Sequence, residues 1–199
     1  MLTAIIVGAL VLVLGGFVVG LYNGLVKRRN EFKNAFSQID VQLQRRYELI
    51  PNLVETARAY MEHESETLIK VTEARNTAEK KREAAAANPQ DSSLVGALAQ
   101  AEAKLGSAMG GFSMVMENYP EIKADQSMRD LHDELTSTEN RVGFARQAYS
   151  DAVMRYNTAR EEFPSNVVAG TFNFTAADLF EIENQEMRET VNVSFKNAA

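Results

Sequence analysis

The chain contains no cysteine and no tryptophan, and only two of its 199 residues are histidines. The absence of cysteine excludes disulfides, thiolate nucleophiles and thiolate metal ligands, and it leaves the redox compartment undetermined. Few of the side chains that usually carry catalysis remain. We therefore predict a protein with no catalytic residue, no cofactor and no metal site.

Positive charge is also scarce, because the formal net charge is −6. A general nucleic-acid-binding protein needs a broad cationic surface that displaces counterions from phosphates. We therefore expect no nucleic-acid partner. Apolar residues make up 45% of the chain, which is enough for the core of one domain with an appendage.

Side-chain charge is absent from residues 1–26, most of which are aliphatic or glycine. A helix of about 25 residues is roughly 37 Å long, and a hydrocarbon core of about 30 Å can be crossed by it. A cleaved signal peptide would need a basic start and a shorter apolar stretch. We predict a transmembrane anchor over residues 1–26.

Basic residues follow this segment at once. Because basic flanks are retained on the cytoplasmic side, the N-terminus is expected outside and the body in the cytoplasm. The lipid bilayer is thus the first expected partner, and anionic headgroups attract cations near its surface. The residues predicted to contact headgroups are Lys27, Arg28, Arg29 and Lys33.

Three glycines in the anchor, Gly16, Gly20 and Gly24, are four residues apart. This spacing places them on one helix face, where the backbones of two anchors can approach closely. Glycine is also common in membrane helices that have no such contact. The spacing leaves both interpretations open, and we select the three glycines as candidate packing residues.

The rest of the chain shows helical periodicity. One apolar stripe extends from Phe32 past Val71 and ends at the loop 88–93, where Asp91 or Ser92 can cap the next helix. A second helix is predicted over about 94–118, and it contains Gly106, Gly110 and Gly111. Glycine lowers the stability of a helix, and close contact with a neighbouring helix could offset this loss.

The third helix has the clearest pattern, an a/d heptad from Met128 to Phe163. No strand signal is comparable, so we predict an all-α fold: a transmembrane helix followed by an elongated antiparallel four-helix bundle. The predicted domains are the anchor (1–26), the cytoplasmic bundle (27–164) and a tail (165–199). In the tail, Thr175 and Asp178 resemble a capping box for a short helix over 179–182.

Pro51 interrupts the first stripe, where it removes one hydrogen bond and presses against the Tyr47 carbonyl at a cost of about 3 kcal/mol. Two structures are compatible with this: a kinked helix, or a reversal at Pro51 that gives a compact bundle. A kink leaves the apolar residues before it without partners in their own chain, and this predicts self-association. The tail aromatics either cover the bundle or dock on a neighbouring subunit. The residues predicted at an interface between copies are Phe32, Phe36, Ile39, Leu43, Phe172, Phe174 and Phe180.

Neither histidine fits a metal motif. His63 would need a second histidine at position 67, which is a threonine. A di-iron bundle would need Glu three residues before each histidine, where Tyr60 and Arg129 stand. We predict that both histidines lie at the surface or its boundary.

Two adjacent cations, Arg45 and Arg46, precede the proline. They can bind anionic headgroups or phosphate, or they can be solvated or paired with Asp40 and Glu48. We favour the second interpretation.

Six motifs stand out along the chain: YNGLV (22–26), IDVQLQRRYELIPNLVE (39–55), YMEHE (60–64), ENYPEIKA (117–124), TENRV (138–142) and RYN (155–157) before Phe163-Pro164. Together they resemble the motifs of the LemA family. The tail departs from the family, which often has Gly-Phe followed by an aromatic stretch with proline, whereas this chain has FNFTAADLF (172–180).

The resemblance implies a bacterial inner-membrane protein with one anchor, a cytoplasmic four-helix bundle and no established enzymatic activity. Relatives in the family are associated with the formation of membrane compartments. Our leading hypothesis is a non-enzymatic scaffold that self-associates at the cytoplasmic face of the inner membrane. The alternative is an adaptor or signalling subunit that binds another membrane protein, such as a protease or a kinase.

Overall fold

The computed structural model describes residues 1–61 and 63–180, and these residues form six helices and no strand. The all-α class expected from the sequence is confirmed. The helices are α1 (Leu2–Arg58), α2 (Ser65–Ala87), α3 (Ser92–Met116), α4 (Pro120–Ala124), α5 (Gln126–Glu161) and α6 (Ser165–Thr171).

Helix α1 joins the apolar segment and the bundle without interruption. Its 57 residues correspond to about 85 Å of helix. Residues 2–20 are exposed along their whole length, whereas from Leu25 onward one face of the helix is buried. The predicted domain boundary at residue 26 thus falls inside one continuous rod.

The chain does not reverse at Pro51, because α1 continues through the proline to Arg58. The reversal lies instead at residues 59–64, between α1 and α2. Met61 is fully buried there, and its amide donates to the Ala57 carbonyl at 2.9 Å. Because Ala57, Met61 and Leu68 keep helical spacing across the turn, the apolar periodicity conceals it.

The next helices begin at acidic caps. The Asp91 carboxylate accepts from the amide of Ser93 at 2.9 Å at the start of α3. The Asp125 carboxylate accepts from the amide of Met128 at 2.9 Å at the start of α5. These bonds satisfy amides that have no partner within the helix. The capping role predicted for Asp91 is confirmed, and α3 and α5 lie within two residues of their predicted bounds.

Helix α5 runs antiparallel to α1 and packs along most of the part of α1 that follows the exposed apolar segment. Its 36 residues give about 54 Å of helix. The ring of Phe36 lies 5.7 Å from that of Tyr149, and the ring of Phe32 lies 5.1 Å from that of Tyr156. On its other side α1 packs against α2, and α2 packs against α3.

This long partner corrects one prediction. Phe32, Phe36, Ile39 and Leu43 were expected at an interface between copies, but each is at most 2% exposed within the single chain. The expectation failed because α5 reaches back to the level of Phe32 and covers these side chains. They belong to the core of the bundle and are not available to another copy.

The chain after α5 also differs from expectation. A short helix, α6, follows Phe163-Pro164 and was not predicted, whereas residues 174–180 are not helical. The part of the predicted short helix at Ile182 lies outside the described residues. Phe174 and Phe180 are buried on their own bundle, so the prediction that they lie between subunits is wrong; Phe172 remains half-exposed.

Candidate functional site

A buried charge network joins α1, α3 and α5 near the middle of the bundle. The Glu102 carboxylate on α3 is 2% exposed and accepts a bond from Arg46 Nη1 at 2.7 Å. The Tyr47 hydroxyl donates to the other oxygen of the same carboxylate. Arg46 Nη2 also donates to Glu139 on α5 at 3.1 Å. The Arg46 guanidinium thus links α1 to one carboxylate on α3 and to another on α5.

Burial and the Glu102 charge raise the pKa of Tyr47 far above its ordinary value. The phenol therefore keeps its proton and acts as a hydrogen-bond donor, not as a base. Arg46 is likewise a donor to both of its carboxylates. This arrangement holds three helices in register, and its chemistry suits structure or binding better than proton transfer.

An open groove lies next to this network, between α3 and α5. It has a volume of about 650 Å³, and Leu53 of α1 also lines it. Small residues on both walls leave it open, namely Gly106, Ser107, Gly110, Ser113 and Gly143. Apolar and charged side chains both line it, including Met109, Phe112, Leu135, Val142, Glu139 and Arg146. A groove of this kind can accommodate an amphipathic segment of another polypeptide.

Two glycines in the α3 wall, Gly106 and Gly110, make no close helix contact. A Cβ atom added at either position would meet nothing within 4 Å, as would one at Gly111. The compensation expected from tight packing is therefore absent.

We predict that Gly106→Ala and Gly110→Ala each raise the free energy of unfolding by about 0.5–1 kcal/mol, since alanine restricts the unfolded chain and favours the helix. Urea unfolding of the protein in detergent, followed by circular dichroism at a helical wavelength, measures this. Ala103→Gly on the same wall is the matched control and is expected to destabilise by a similar amount. A loss of stability in the alanine variants would contradict the open wall.

Side chains of α5 bind the segment after α6 through hydrogen bonds to the backbone of that segment. The Tyr156 hydroxyl donates to the Thr175 carbonyl at 2.8 Å, and the Tyr149 hydroxyl donates to the Asp178 carbonyl at 3.0 Å. Burial, followed by the nearby Asp178 charge, raises the pKa of Tyr149 above its ordinary value, which keeps this donor protonated. The segment is thereby ordered on the bundle.

Side-chain amide and guanidinium groups complete this attachment. The Asn157 amide donates to the Ala177 carbonyl at 2.8 Å and accepts from the Ala177 amide at 3.1 Å. Arg146 donates to the Phe180 carbonyl at 3.2 Å, and its guanidinium lies 5.0 Å from the centre of the Phe180 ring. Desolvation by burial lowers the pKa of Arg146. The segment thus reaches a residue that also lines the groove.

The residues predicted to bind headgroups follow the exposed part of α1. Lys27 and Arg28 are exposed, while Arg29 and Lys33 are partly buried. The Arg29 guanidinium lies 5.1 Å from the centre of the Phe174 ring. Contact with lipid stays a prediction for all four.

The glycines of the anchor have open surroundings. Gly16 and Gly20 are exposed in the single chain, and a Cβ at Gly24 would lie 3.7 Å from the Arg28 guanidinium. Their role in packing also stays a prediction.

Of the two arginines considered from sequence, Arg46 has the buried partner Glu102, whereas exposed Arg45 pairs with Glu134 and lies 3.8 Å from Glu48. The favoured interpretation, an ion-paired residue, is confirmed, although the main partners lie on other helices. Sequence reasoning missed Glu102. It is the single acidic residue within α3 and lies between Leu98 and Leu105 on the apolar stripe, and that isolation was the available signal.

Both histidines are exposed, as predicted, and His132 lies at one wall of the groove. Within residues 1–61 and 63–180, no group of three potential His, Asp or Glu ligands is close enough to hold a metal ion.

These features define a class: a helical-bundle protein whose first helix is long and apolar enough to cross a membrane. The model of the LemA family matches residues 35–195, which is most of the chain. The chain belongs to the LemA family, and the resemblance seen in its motifs is confirmed.

Individual relatives are more distant. The chain is similar to Magnetosome protein MamQ 1 and Magnetosome protein MamQ 2 of Paramagnetospirillum magneticum, with 28% identity over 182 residues in each case. These matches cover 80% of this chain and 64% of each relative, so the chain spans less than two thirds of their length. It is also similar to Protein LemA of Metamycoplasma hominis, with 23% identity over 179 residues, 90% of this chain and 77% of the relative.

Proposed function

We propose that this protein is a non-enzymatic, membrane-anchored scaffold that self-associates at the cytoplasmic face of a bacterial inner membrane. The observation that carries the proposal is the continuity of α1, in which exposed apolar residues 2–20 and the central helix of the bundle form one rod. Two relatives are named as magnetosome proteins, which supports a role in membrane organisation.

The charges beside the span support the cytoplasmic orientation. Four basic residues occur between positions 27 and 33, and residues 1–26 contain none. Positive flanks of this kind are retained on the cytoplasmic side. In this orientation the bundle stands in the cytoplasm, and the net negative charge of the chain keeps it soluble there.

The glycine face of the anchor is the surface we propose for self-association. Gly16 and Gly20 have no neighbour within 4 Å of an added Cβ, and the exposed side chains around them are apolar. In lipid, close backbone approach at small residues is a main source of helix association. Because α1 is continuous, pairing of two anchors would bring two bundles side by side.

Single-cysteine variants test this pairing without background, since the chain has no cysteine of its own. We expect oxidation in native membranes to convert Gly20→Cys into a disulfide-linked dimer several-fold more efficiently than Val18→Cys. Val18 is the matched control, because a rotation of about 200° separates it from Gly20 on the helix. Equal yields from both variants, or monomers alone in lipid, would refute the proposed glycine contact.

The groove between α3 and α5 favours a second candidate, an adaptor that binds another membrane protein. Arg46 of α1 lines the groove and lies 20 residues, or about 30 Å of helix, beyond the end of the apolar segment. A cytoplasmic helix of a neighbouring membrane protein can reach this height. A photocrosslinker at Ser107 distinguishes the two functions: adducts with the mass of two chains favour the scaffold, and a defined adduct with a different membrane protein favours the adaptor.

A further inference from the structure

The region that begins after α5 packs against α1 at one particular level. We call residues 163–172, which comprise Phe163-Pro164, α6 and Phe172, the collar. The ring of Phe172 lies 4.9 Å from that of Tyr22. Val168 and Ala169 of α6 are buried, and Leu25 of α1 is 1% exposed. The collar is therefore attached to the last turns of the apolar segment.

The antiparallel register of α1 and α5 gives the same level independently. Arg46 pairs with Glu139, and Phe32 contacts Tyr156, so positions rise along α5 as they fall along α1. Extrapolation places Phe163 opposite residues 22–25. Both routes locate the collar just before Lys27, the first charged side chain of the chain.

The part of α1 that the collar leaves bare has the length of a membrane span. Residues 2–20 are all exposed, and these 19 residues give about 28 Å of helix. The hydrocarbon core of a bilayer is about 30 Å thick. If residues 2–20 cross the bilayer, the collar therefore lies at the level of the lipid headgroups.

The collar exposes three large apolar side chains, together with the polar side chains of Asn166 and Thr171. Phe163 is 83% exposed, Val167 is 60% exposed and Phe172 is 51% exposed. Among the described residues, the bare span alone extends beyond the collar, so these side chains border the volume that a bilayer would fill. Lys27 and Arg28 are exposed at the same end of the bundle. Aromatic side chains with adjacent cations are typical of the membrane interface.

We propose that the collar is a second membrane-contacting element, which inserts Phe163, Val167 and Phe172 into the boundary between headgroups and acyl chains. The inference rests on the proposed anchoring of α1. A second contact point beside the span restricts tilting of the rod, so the bundle and its groove are held at a fixed height above the lipid surface.

Tryptophan variants of the full-length protein in liposomes test the collar, because the chain has no tryptophan of its own. Phe163→Trp and Phe172→Trp report on the collar, and Val13→Trp reports on the span. The matched control is Phe144→Trp, an exposed phenylalanine 19 residues, or about 28 Å, along α5 from Phe163. Unchanged circular dichroism verifies the fold of each variant.

We expect phosphatidylcholine and phosphatidylglycerol liposomes with brominated acyl chains to reduce the emission of both collar variants about twofold or more, and to leave Phe144→Trp unchanged. Quenching of Val13→Trp without quenching of the collar variants would overturn the collar and leave the anchor intact. Absence of quenching at Val13→Trp would overturn the anchor itself. Quenching at Phe144→Trp as well would show that the whole bundle lies on the lipid, and it would overturn a contact confined to the collar.

Discussion

Replacement of Glu102 by glutamine is expected to lower the free energy of unfolding by about 3 kcal/mol or more, because it leaves the buried Arg46 guanidinium without its main counterion. The Glu102 side chain is 1% exposed and that of Arg46 is 10% exposed, so hydration replaces little of the lost interaction. The Tyr47 hydroxyl loses its charged acceptor in the same step. Urea unfolding of the full-length protein in detergent measures the loss.

The neighbouring carboxylate provides the matched control. Glu139 contacts the same guanidinium, but its side chain is 46% exposed, so Glu139→Gln is expected to cost less than about 1 kcal/mol. Replacing Arg46 and Glu102 together with methionine should recover much of the loss, because no buried charge then remains. A Glu102→Gln variant as stable as the Glu139→Gln variant would contradict a network centred on Glu102.

The helices themselves were predictable because their signals are local. Asp91 caps α3 through amides two and three residues away, and a heptad from Met128 to Phe163 specifies α5 without reference to other helices. The reversal at 59–64 was not predictable in this way. It contains no glycine or proline, and buried Met61 continues the apolar spacing across it.

The candidate site depends on contacts that local patterns do not encode. Arg46 and Glu102 are 56 positions apart, and their meeting requires the register of α1 against α3. The contact of Arg46 with Glu139 likewise requires the register of α1 against α5. From sequence, Arg45 and Arg46 had nearer apparent partners in Asp40 and Glu48. In the structure Asp40 instead accepts from Arg82 at 2.8 Å, so this carboxylate of α1 is paired with another helix.

The segment after α6 shows how tertiary contacts override a local signal. Thr175 and Asp178 have the spacing of a capping box. However, Tyr156 and Tyr149 donate to their carbonyls, and Asn157 bonds to both the amide and the carbonyl of Ala177. Backbone groups held by α5 are not free to form a helix, so the segment from 174 to 180 is not helical.

The cost of the proline inside α1 is offset by Arg75 of α2. Proline has no amide hydrogen, so Pro51 cannot donate to the Tyr47 carbonyl four residues before it. The Arg75 Nε atom donates to that carbonyl at 3.0 Å, and the Glu79 carboxylate holds the same guanidinium at 2.5 Å. A bond normally made within one helix is here made between α1 and α2.

A double-mutant cycle between Pro51 and Arg75 tests this substitution of one donor for another. We expect Arg75→Met to lower the free energy of unfolding by about 1–3 kcal/mol, since it leaves a carbonyl near the core without a donor. Pro51→Ala should raise it by about 1–3 kcal/mol, because alanine is the better helix residue and its amide restores the bond to Tyr47. In the Pro51→Ala background, Arg75→Met should cost about 1 kcal/mol less than in the parent chain, which is a measurable coupling.

Glu79→Gln is the control that separates the hydrogen bond from the ion pair. It removes the charge beside Arg75 but leaves the Nε donor in place, so its effect should be the same in both backgrounds. Equal costs of Arg75→Met with proline and with alanine at position 51 would show that the guanidinium acts only through Glu79. Coupling of Pro51 to Arg75 but not to Glu79 would instead show that α2 supplies the donor for the Tyr47 carbonyl, which the proline leaves free. This bond explains why α1 can continue to Arg58 before the chain reverses.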